Sequence, residues 1–202
     1  QNVGDQLTPE GEDATTFWGE GDEAIVKYAN AICDTIDKYG YDGFDYDYEP
    51  NYGHRGNISG VPAAEKVFVE ALSRRLGPKS GTDKMLVIDG EPQTINSELG
   101  PCFNYFIVQA YQCTGDANLD GRLQGTIMNF NGVLEPEEVA KKYIVTENFE
   151  NFALAGGVSF TDRNGNEMMS LEGMARWQPI INGKKVQKGG IGTYHMEYEY
   201  MA

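Results

Sequence analysis

The chain has 202 residues, of which 40% are hydrophobic and 11% aromatic, so it is long enough and apolar enough to bury a globular core. Its 31 acidic and 16 basic residues give a formal net charge of -15, which repels phosphate backbones and anionic lipids and argues against nucleic-acid and membrane-surface partners. No apolar run approaches the roughly 20 residues that span a bilayer, and the N-terminus lacks signal-peptide character. We therefore expect no membrane-spanning segment and expect any targeting segment to have been removed or to lie outside this chain.

The first predicted element is an amphipathic helix from Asp22 to Tyr39, because apolar residues recur there at helical spacing and Gly40 is a natural stop. A second helix is predicted from Pro62 to Leu76, since proline suits the first helical position and Gly77-Pro78 ends the pattern. Between these helices lies the segment that carries most of the chemical information in the chain.

In that segment, residues 42–50, carboxylates and aromatic side chains alternate with a period of two. Residues two apart share a face of a β-strand, so the pattern predicts a strand with one acidic and one aromatic face. The acidic face carries Asp45, Asp47 and Glu49, and the aromatic face carries Phe44, Tyr46 and Tyr48. Neighbouring carboxylates cost stability through repulsion and desolvation, and no hydrophobic core requires them. We interpret the strand as a reaction centre.

Beyond residue 80, short apolar runs alternate with helical patterns. The predicted elements are strands at 85–88, 105–111, 143–146 and 191–196, and helices opening at Glu135-Pro136 and near 170–177. About five strands alternating with helices are typical of parallel βαβ units with right-handed crossovers. Polar residues cluster where the strands end, which is the active-site edge of a (β/α) barrel. A doubly wound sheet binds ligands at the same edge, but no glycine-rich phosphate loop follows a strand here.

Several other features have competing interpretations. Residues 116–121 begin like an EF-hand loop, but Ile127 stands where a bidentate glutamate is required, so we predict an Asx-rich turn. Residues 162–166 also read as a turn. Trp18 and Trp177 are either platforms on which a ligand stacks or, more commonly for this residue type, buried aromatics. His195 either faces the site or is structural.

The three cysteines cannot all pair within the chain. An extended segment between Cys102 and Cys113 would hold them ~30 Å apart, beyond disulfide reach. No cysteine has metal-ligand spacing and the two histidines stand alone, so we predict neither metal nor cofactor. The open alternative is that the acidic strand binds a hard cation such as Mg²⁺ or Ca²⁺.

The acidic segment resembles a known family. Residues 42–49 match without gaps the strand signature DGxDxDxE of glycoside hydrolase family 18. Gln109-Ala110-Tyr111 is similar to the family's strand-six motif, and residues 189–194 resemble the strand-eight ending of its endo-β-N-acetylglucosaminidase branch. Family chitinases usually carry a tryptophan on the last strand, where Tyr194 is the nearest aromatic here.

The resemblance implies an α/β fold, a (β/α)8 barrel of which this chain carries about strands four to eight. Residues 1–202 are then expected to be a single partial catalytic domain that lacks the N-terminal βα units and the last helix. Three missing strands would leave two open sheet edges, so the resemblance also implies that the sequence is a piece of a longer chain.

The resemblance further implies retaining hydrolysis of the β-1,4 bond between N-acetylglucosamines of the N-glycan chitobiose core, with the substrate's acetamido oxygen as nucleophile. Glu49 would be the acid and base, Asp47 would stabilise the oxazolinium ion, and Asp45 would share a proton with Asp47. Tyr111 would contact the acetamido group. Sugar contacts are expected from Gln109, Asn51, Tyr52, Glu91, Tyr194 and Glu197.

Two other functions remain open: a chitinase acting on chitin oligomers, and a non-catalytic glycan-binding protein of the same fold. By the same resemblance we expect an extracytoplasmic location and a glycan partner. The sequence makes no prediction about oligomeric state.

Overall fold

The computed structural model describes residues 21–51, 58, 61–148 and 157–194. The helices are α1 (Gly21–Tyr39), α2 (Pro62–Ser73), a 3₁₀ helix (Ser97–Cys102), α3 (Asp116–Asn129), α4 (Pro136–Lys142) and α5 (Ser170–Arg176). The strands are β1 (Gly43–Tyr48), β2 (Met85–Gly90), β3 (Tyr105–Gln109), β4 (Tyr143–Asn148), β5 (Ser159–Thr161), β6 (Glu167–Met169), β7 (Ile180–Ile181), β8 (Lys184–Lys185) and β9 (Gly190–Tyr194).

Five of these strands form one sheet in the order β1-β2-β3-β4-β9. The pairs β3–β4 and β4–β9 are parallel, with Phe106 opposite Tyr143 and Ile144 opposite Gly190. The remaining strands form two short antiparallel hairpins, β5–β6 and β7–β8. Among the described strands the large sheet is open, with β1 and β9 at its edges. The predicted alternation of helices with about five parallel strands is confirmed, as part of a mixed α/β architecture.

The chain divides into two compact units, of which the first comprises residues 1–88 and 98–104. Its core forms where α1 and α2 pack together, with the Tyr28 ring stacked on Phe68 at 5.8 Å between centroids. Gly43 at the start of β1 lies so close to β2 that a Cβ would stand 2.2 Å from the carbonyl oxygen of Met85. The glycine of the acidic motif therefore allows the close approach of two strands.

The second unit comprises residues 89–97 and 105–202. Its core is built on the apolar faces of β3 and β4, where Phe106 stacks on Phe130 at 4.8 Å and Tyr143 meets Trp177 edge to face at 6.3 Å. Trp177 is only 1% exposed and its indole N–H donates to Asp120 Oδ1 over 2.9 Å. This side chain is a core residue, so the stacking-platform alternative is wrong for Trp177, whereas Trp18 and His195 lie outside the described residues.

The turn predicted at residues 116–121 is wrong, because Asp116 is the first residue of the fourteen-residue helix α3. Leu119 and Leu123, four residues apart, are buried on one face of this helix. The Asp116 carboxylate accepts hydrogen bonds from the backbone N–H and the guanidinium of Arg163. Tertiary contacts thus outweigh the local turn preference of aspartate and asparagine.

The turn predicted at residues 162–166 is confirmed as the tip of the β5–β6 hairpin, where Asp162 Oδ1 accepts from the N–H groups of Asn164 and Asn166 at 2.8 and 2.9 Å. The strand predicted to reach Tyr111 ends earlier, at Gln109. All three cysteines are buried and unpaired. No described helix is long and apolar enough to cross a membrane.

Candidate active site

The acidic strand has the two faces that its sequence predicts. Along β1, Asp45 and Asp47 are exposed while Tyr46 and Tyr48 are buried. Glu49 follows the last residue of the strand and is half-buried. The alternation therefore directs the carboxylates to one side and the aromatic rings to the other.

Aromatic packing fixes the orientation of this strand. The Tyr46 ring lies 5.4 Å from Phe68 of α2 and 5.6 Å from Tyr48, and the Phe44 ring meets Phe68 edge to face at 6.5 Å. Burial of such rings is worth about 1.5–3 kcal/mol each. Because successive side chains alternate across a strand, anchoring the rings in the core fixes the direction of Asp45 and Asp47 as well.

The two aspartates influence each other's ionisation. Desolvation by the surrounding protein raises the pKa of Asp45 from its usual 3.8 to about 6, and the negative charge of Asp47 adds to the increase. The residue retains solvent access at the open face of β1, but its carboxyl group loses part of its hydration. One proton is therefore held on this strand at mildly acidic pH, as expected for neighbouring carboxylates.

The second unit brings two other predicted residues together. Tyr111 lies in the turn after β3, and Tyr194 ends β9. Their ring centroids are 6.2 Å apart and the rings are inclined by 32°. Tyr194 is 49% exposed, so the pair offers an accessible aromatic surface at the carboxyl ends of these strands. Gln109, half-buried, is the last residue of β3.

The other predicted contact residues lie in loops after β1 and β2 or outside the described residues. Asn51 lies in an exposed turn two residues after Glu49. Glu91 is half-buried in the loop after β2, where its carbonyl oxygen accepts from the Thr94 N–H and hydroxyl at 3.0 Å each. Tyr52 and Glu197 lie outside the described residues. Among the described side chains there is no group of three or more metal-ligating residues placed to hold an ion.

Glu147 lies among the polar residues near the strand ends but is not one of the site residues predicted from the sequence, and the structure shows it fully buried near the end of β4. Its carboxylate accepts hydrogen bonds from the N–H groups of Gln112 and Asn148 and from the Ser170 hydroxyl. The sequence pattern indicates this burial, because Glu147 follows Tyr143 and Val145 at a spacing of two residues. All three side chains therefore lie on the core face of the strand. A carboxylate on the core face of a strand lowers the stability of the folded protein unless hydrogen bonds satisfy it.

Comparison with known proteins places this architecture in a family. Residues 1–202 match the sequence model of glycoside hydrolase family 18, BT1044-like. Endo-β-N-acetylglucosaminidase F2 of Elizabethkingia meningoseptica is 29% identical over a match 201 positions long, gaps included, that covers 91% of this chain and 51% of that protein. The chain thus spans about half the length of this curated relative.

Two solved structures are similar to this chain. A structure of selenomethionine-labelled BT1044, with one glutamate replaced by glutamine, superposes with a TM-score of 0.82 at 35% identity and covers 100% of this chain and 63% of that chain. The apo endo-β-N-acetylglucosaminidase of Cordyceps militaris gives a TM-score of 0.61 at 24% identity, covering 93% and 58%, which shows similarity of fold. With the family match extending over all its residues, this chain belongs to glycoside hydrolase family 18.

Proposed function

We propose that the protein is a retaining glycosidase that cleaves the β-1,4 bond between the two N-acetylglucosamines of the N-glycan chitobiose core. The observation that carries the proposal is the gapless DGxDxDxE signature at residues 42–49, folded as a strand with an exposed acidic face in a chain of family 18. The choice of N-glycans is supported by the activity named for the Elizabethkingia relative.

The proposed reaction uses the substrate's own 2-acetamido group. Most retaining glycosidases need a second carboxylate as nucleophile, and family 18 is an exception in which the acetamido oxygen attacks the anomeric carbon. Glu49 donates a proton to the departing glycosidic oxygen as an oxazolinium ion forms. The same carboxylate then takes a proton from the water that opens this ion, which gives net retention.

Asp47 and Asp45 support the charged intermediate. Asp47 orients the acetamido N–H and stabilises its developing positive charge, which requires Asp47 to be ionised. The raised pKa of Asp45, about 6, supports a proton residing on Asp45 in mildly acidic solution. A neutral Asp45 leaves the negative charge of the pair on Asp47.

Tyr111 is proposed to contact the acetamido group with its hydroxyl, by similarity of residues 109–111 to the family motif. Tyr194, whose ring lies beside that of Tyr111, offers an aromatic face for sugar stacking. Gln109, Asn51, Tyr52, Glu91 and Glu197 are proposed as further sugar contacts.

The complete protein is proposed to be a (β/α)8 barrel to which this chain contributes about strands four to eight. The parallel pairing of β3, β4 and β9 and the partial coverage of the solved relatives support this. We propose an extracytoplasmic location, where glycoprotein substrates are found.

The test is to incubate the full-length protein with a high-mannose glycoprotein and, separately, with chitin oligomers. Release of glycan that leaves one N-acetylglucosamine on the protein is the expected result. Cleavage of chitin oligomers alone would indicate a chitinase instead, and binding without cleavage of either substrate would indicate a glycan-binding protein. The Glu49→Gln variant is the control that assigns any hydrolysis to this site.

A further inference from the structure

Glu147 is a buried acid that the proposed reaction does not use. Its residue is 0% exposed, so its carboxylate cannot touch a substrate. Both of its oxygens nevertheless accept hydrogen bonds. Oε1 accepts from the N–H of Gln112 and of Asn148, each at 2.8 Å, and Oε2 accepts from the Ser170 hydroxyl. A buried carboxylate whose two oxygens both accept hydrogen bonds holds the donor groups in fixed positions.

The bond to Gln112 reaches the turn that carries Tyr111. The Cys113 N–H donates to the Ala110 carbonyl oxygen at 3.2 Å, so Tyr111 and Gln112 are the central residues of a tight turn. Gln112 has a φ of 56°, in the left-handed region that residues other than glycine rarely adopt. The hydrogen bond from its N–H to Glu147 offsets the cost of this conformation and holds the turn in one geometry.

The other side of the Glu147 carboxylate is fixed by α5 and the segment before β5. The Ser170 hydroxyl donates to Glu147 while accepting from the Val158 N–H at 3.0 Å. Gly157, with a φ of 104°, makes room for this arrangement, since a Cβ there would lie 1.9 Å from Ser170 Oγ and 3.2 Å from Glu147 Oε2. The carboxylate is thus held on both sides.

We propose that Glu147 is a positioning residue that sets the Tyr111 turn through Gln112 and thereby aligns Tyr111 beside Tyr194 for its contact with the substrate's acetamido group. The catalytic part of this inference rests on the proposed function. The anchoring part, that Glu147 determines the geometry of the turn, stands on the structure of the second unit alone.

Amide hydrogen exchange tests the anchoring without reference to activity. The Glu147→Leu variant keeps the side-chain volume but offers no acceptor, so exchange at Gln112 should accelerate at least about tenfold, the equivalent of one lost hydrogen bond. The Glu147→Gln variant retains an acceptor oxygen and should preserve protection. Amides of the β3–β4 ladder report whether each variant is folded. Unchanged exchange at Gln112 in a folded Glu147→Leu protein would overturn the anchoring.

A double-mutant cycle tests the connection to catalysis. Glu147→Asp withdraws the carboxylate from Gln112 by one methylene, and a displacement of this size at a reacting contact costs about 10²-fold in kcat. In a Tyr111→Phe background the same change should cost less than about threefold, because the contact it perturbs is already lost. Equal losses in both backgrounds would overturn the positioning role. Ser170→Ala, which frees one carboxylate oxygen, repeats the cycle with a milder change if Glu147→Asp does not fold.

Two further readouts separate positioning from general destabilisation. Glu147→Gln should keep kcat within about tenfold of wild type with an unchanged pH profile, since its amide oxygen still accepts from the N–H groups of Gln112 and Asn148 and only the acceptor for the Ser170 hydroxyl is lost. The matched control is Asp116→Asn, another buried acid of the same unit, whose carboxylate bonds to Arg163; it should lower stability and leave kcat unchanged. A shifted pH profile for Glu147→Gln would contradict the inference.

A wild-type protein that cleaves neither substrate would overturn the proposed function and the catalytic part, while the exchange experiment still decides the anchoring.

Discussion

The carboxylates of β1 and the carboxylate of Glu147 are in opposite environments. Asp45 and Asp47 project from the exposed face of a strand, where desolvation and mutual repulsion raise the pKa of Asp45. Glu147 is fully buried and accepts three hydrogen bonds. Accessibility and unfavourable electrostatics mark acids available for chemistry, whereas burial with complete hydrogen bonding marks an acid that organises structure.

The largest effect is expected for Glu49→Gln, which removes the proposed proton donor directly after β1. Since a positioned acid contributes about 10²–10⁴ in rate, kcat on a high-mannose glycoprotein should fall by at least that factor. Thermal stability should be nearly unchanged. The control is Asp83→Asn, an exposed acid in the loop before β2. Wild-type activity in Glu49→Gln would remove this residue from the mechanism.

Asp47→Asn should be next, with kcat lower by about 10²-fold, because an amide cannot supply the negative charge that stabilises an oxazolinium ion. Steady-state kinetics should show the loss mainly in kcat rather than in KM, as expected for an interaction made in the transition state. A change confined to KM would instead make Asp47 an ordinary substrate-binding residue.

Glu147→Ala tests how much the buried carboxylate of Glu147 contributes to the stability of the fold. The substitution leaves three hydrogen-bond donors unsatisfied and opens a cavity, so we expect a loss of about 3 kcal/mol in the free energy of unfolding. Urea denaturation of the full chain measures it. A loss below about 0.5 kcal/mol, typical of a surface position, would show that the buried network contributes little.

The smallest effect is expected for Asp45→Asn, and this variant should be more stable than wild type rather than less stable. Folding raises the pKa of Asp45 from 3.8 to about 6, so the ionised form penalises the folded state, and stability is lost as pH rises through this window. Above it the variant should be more stable than wild type by about 1 kcal/mol once solvent screening at the exposed face is allowed for. Below it the two should converge. Thermal unfolding across pH checks the sign, and equal stability at all pH values would contradict the raised pKa.

These regions also differ in what the sequence could predict. Both faces of β1 follow from a local alternation of aspartate with aromatic residues, and the structure confirms them. Two of the three partners of Glu147 are distant in the chain, at separations of 35 residues to Gln112 and 23 to Ser170, so no local pattern reveals them. Helix α3 does not follow from the sequence pattern for a related reason, since Asp116 meets Arg163 across 47 residues.

The stereochemistry of hydrolysis tests most directly whether Glu49 takes part in a double displacement with retention, rather than in a single displacement in which a second carboxylate activates water on the opposite face of the sugar. ¹H NMR of the newly formed reducing end, recorded before mutarotation, distinguishes the two anomers. We predict that the β anomer appears first, as double displacement through an oxazolinium ion requires. Initial formation of the α anomer would show inversion by a single displacement and would contradict the proposed mechanism.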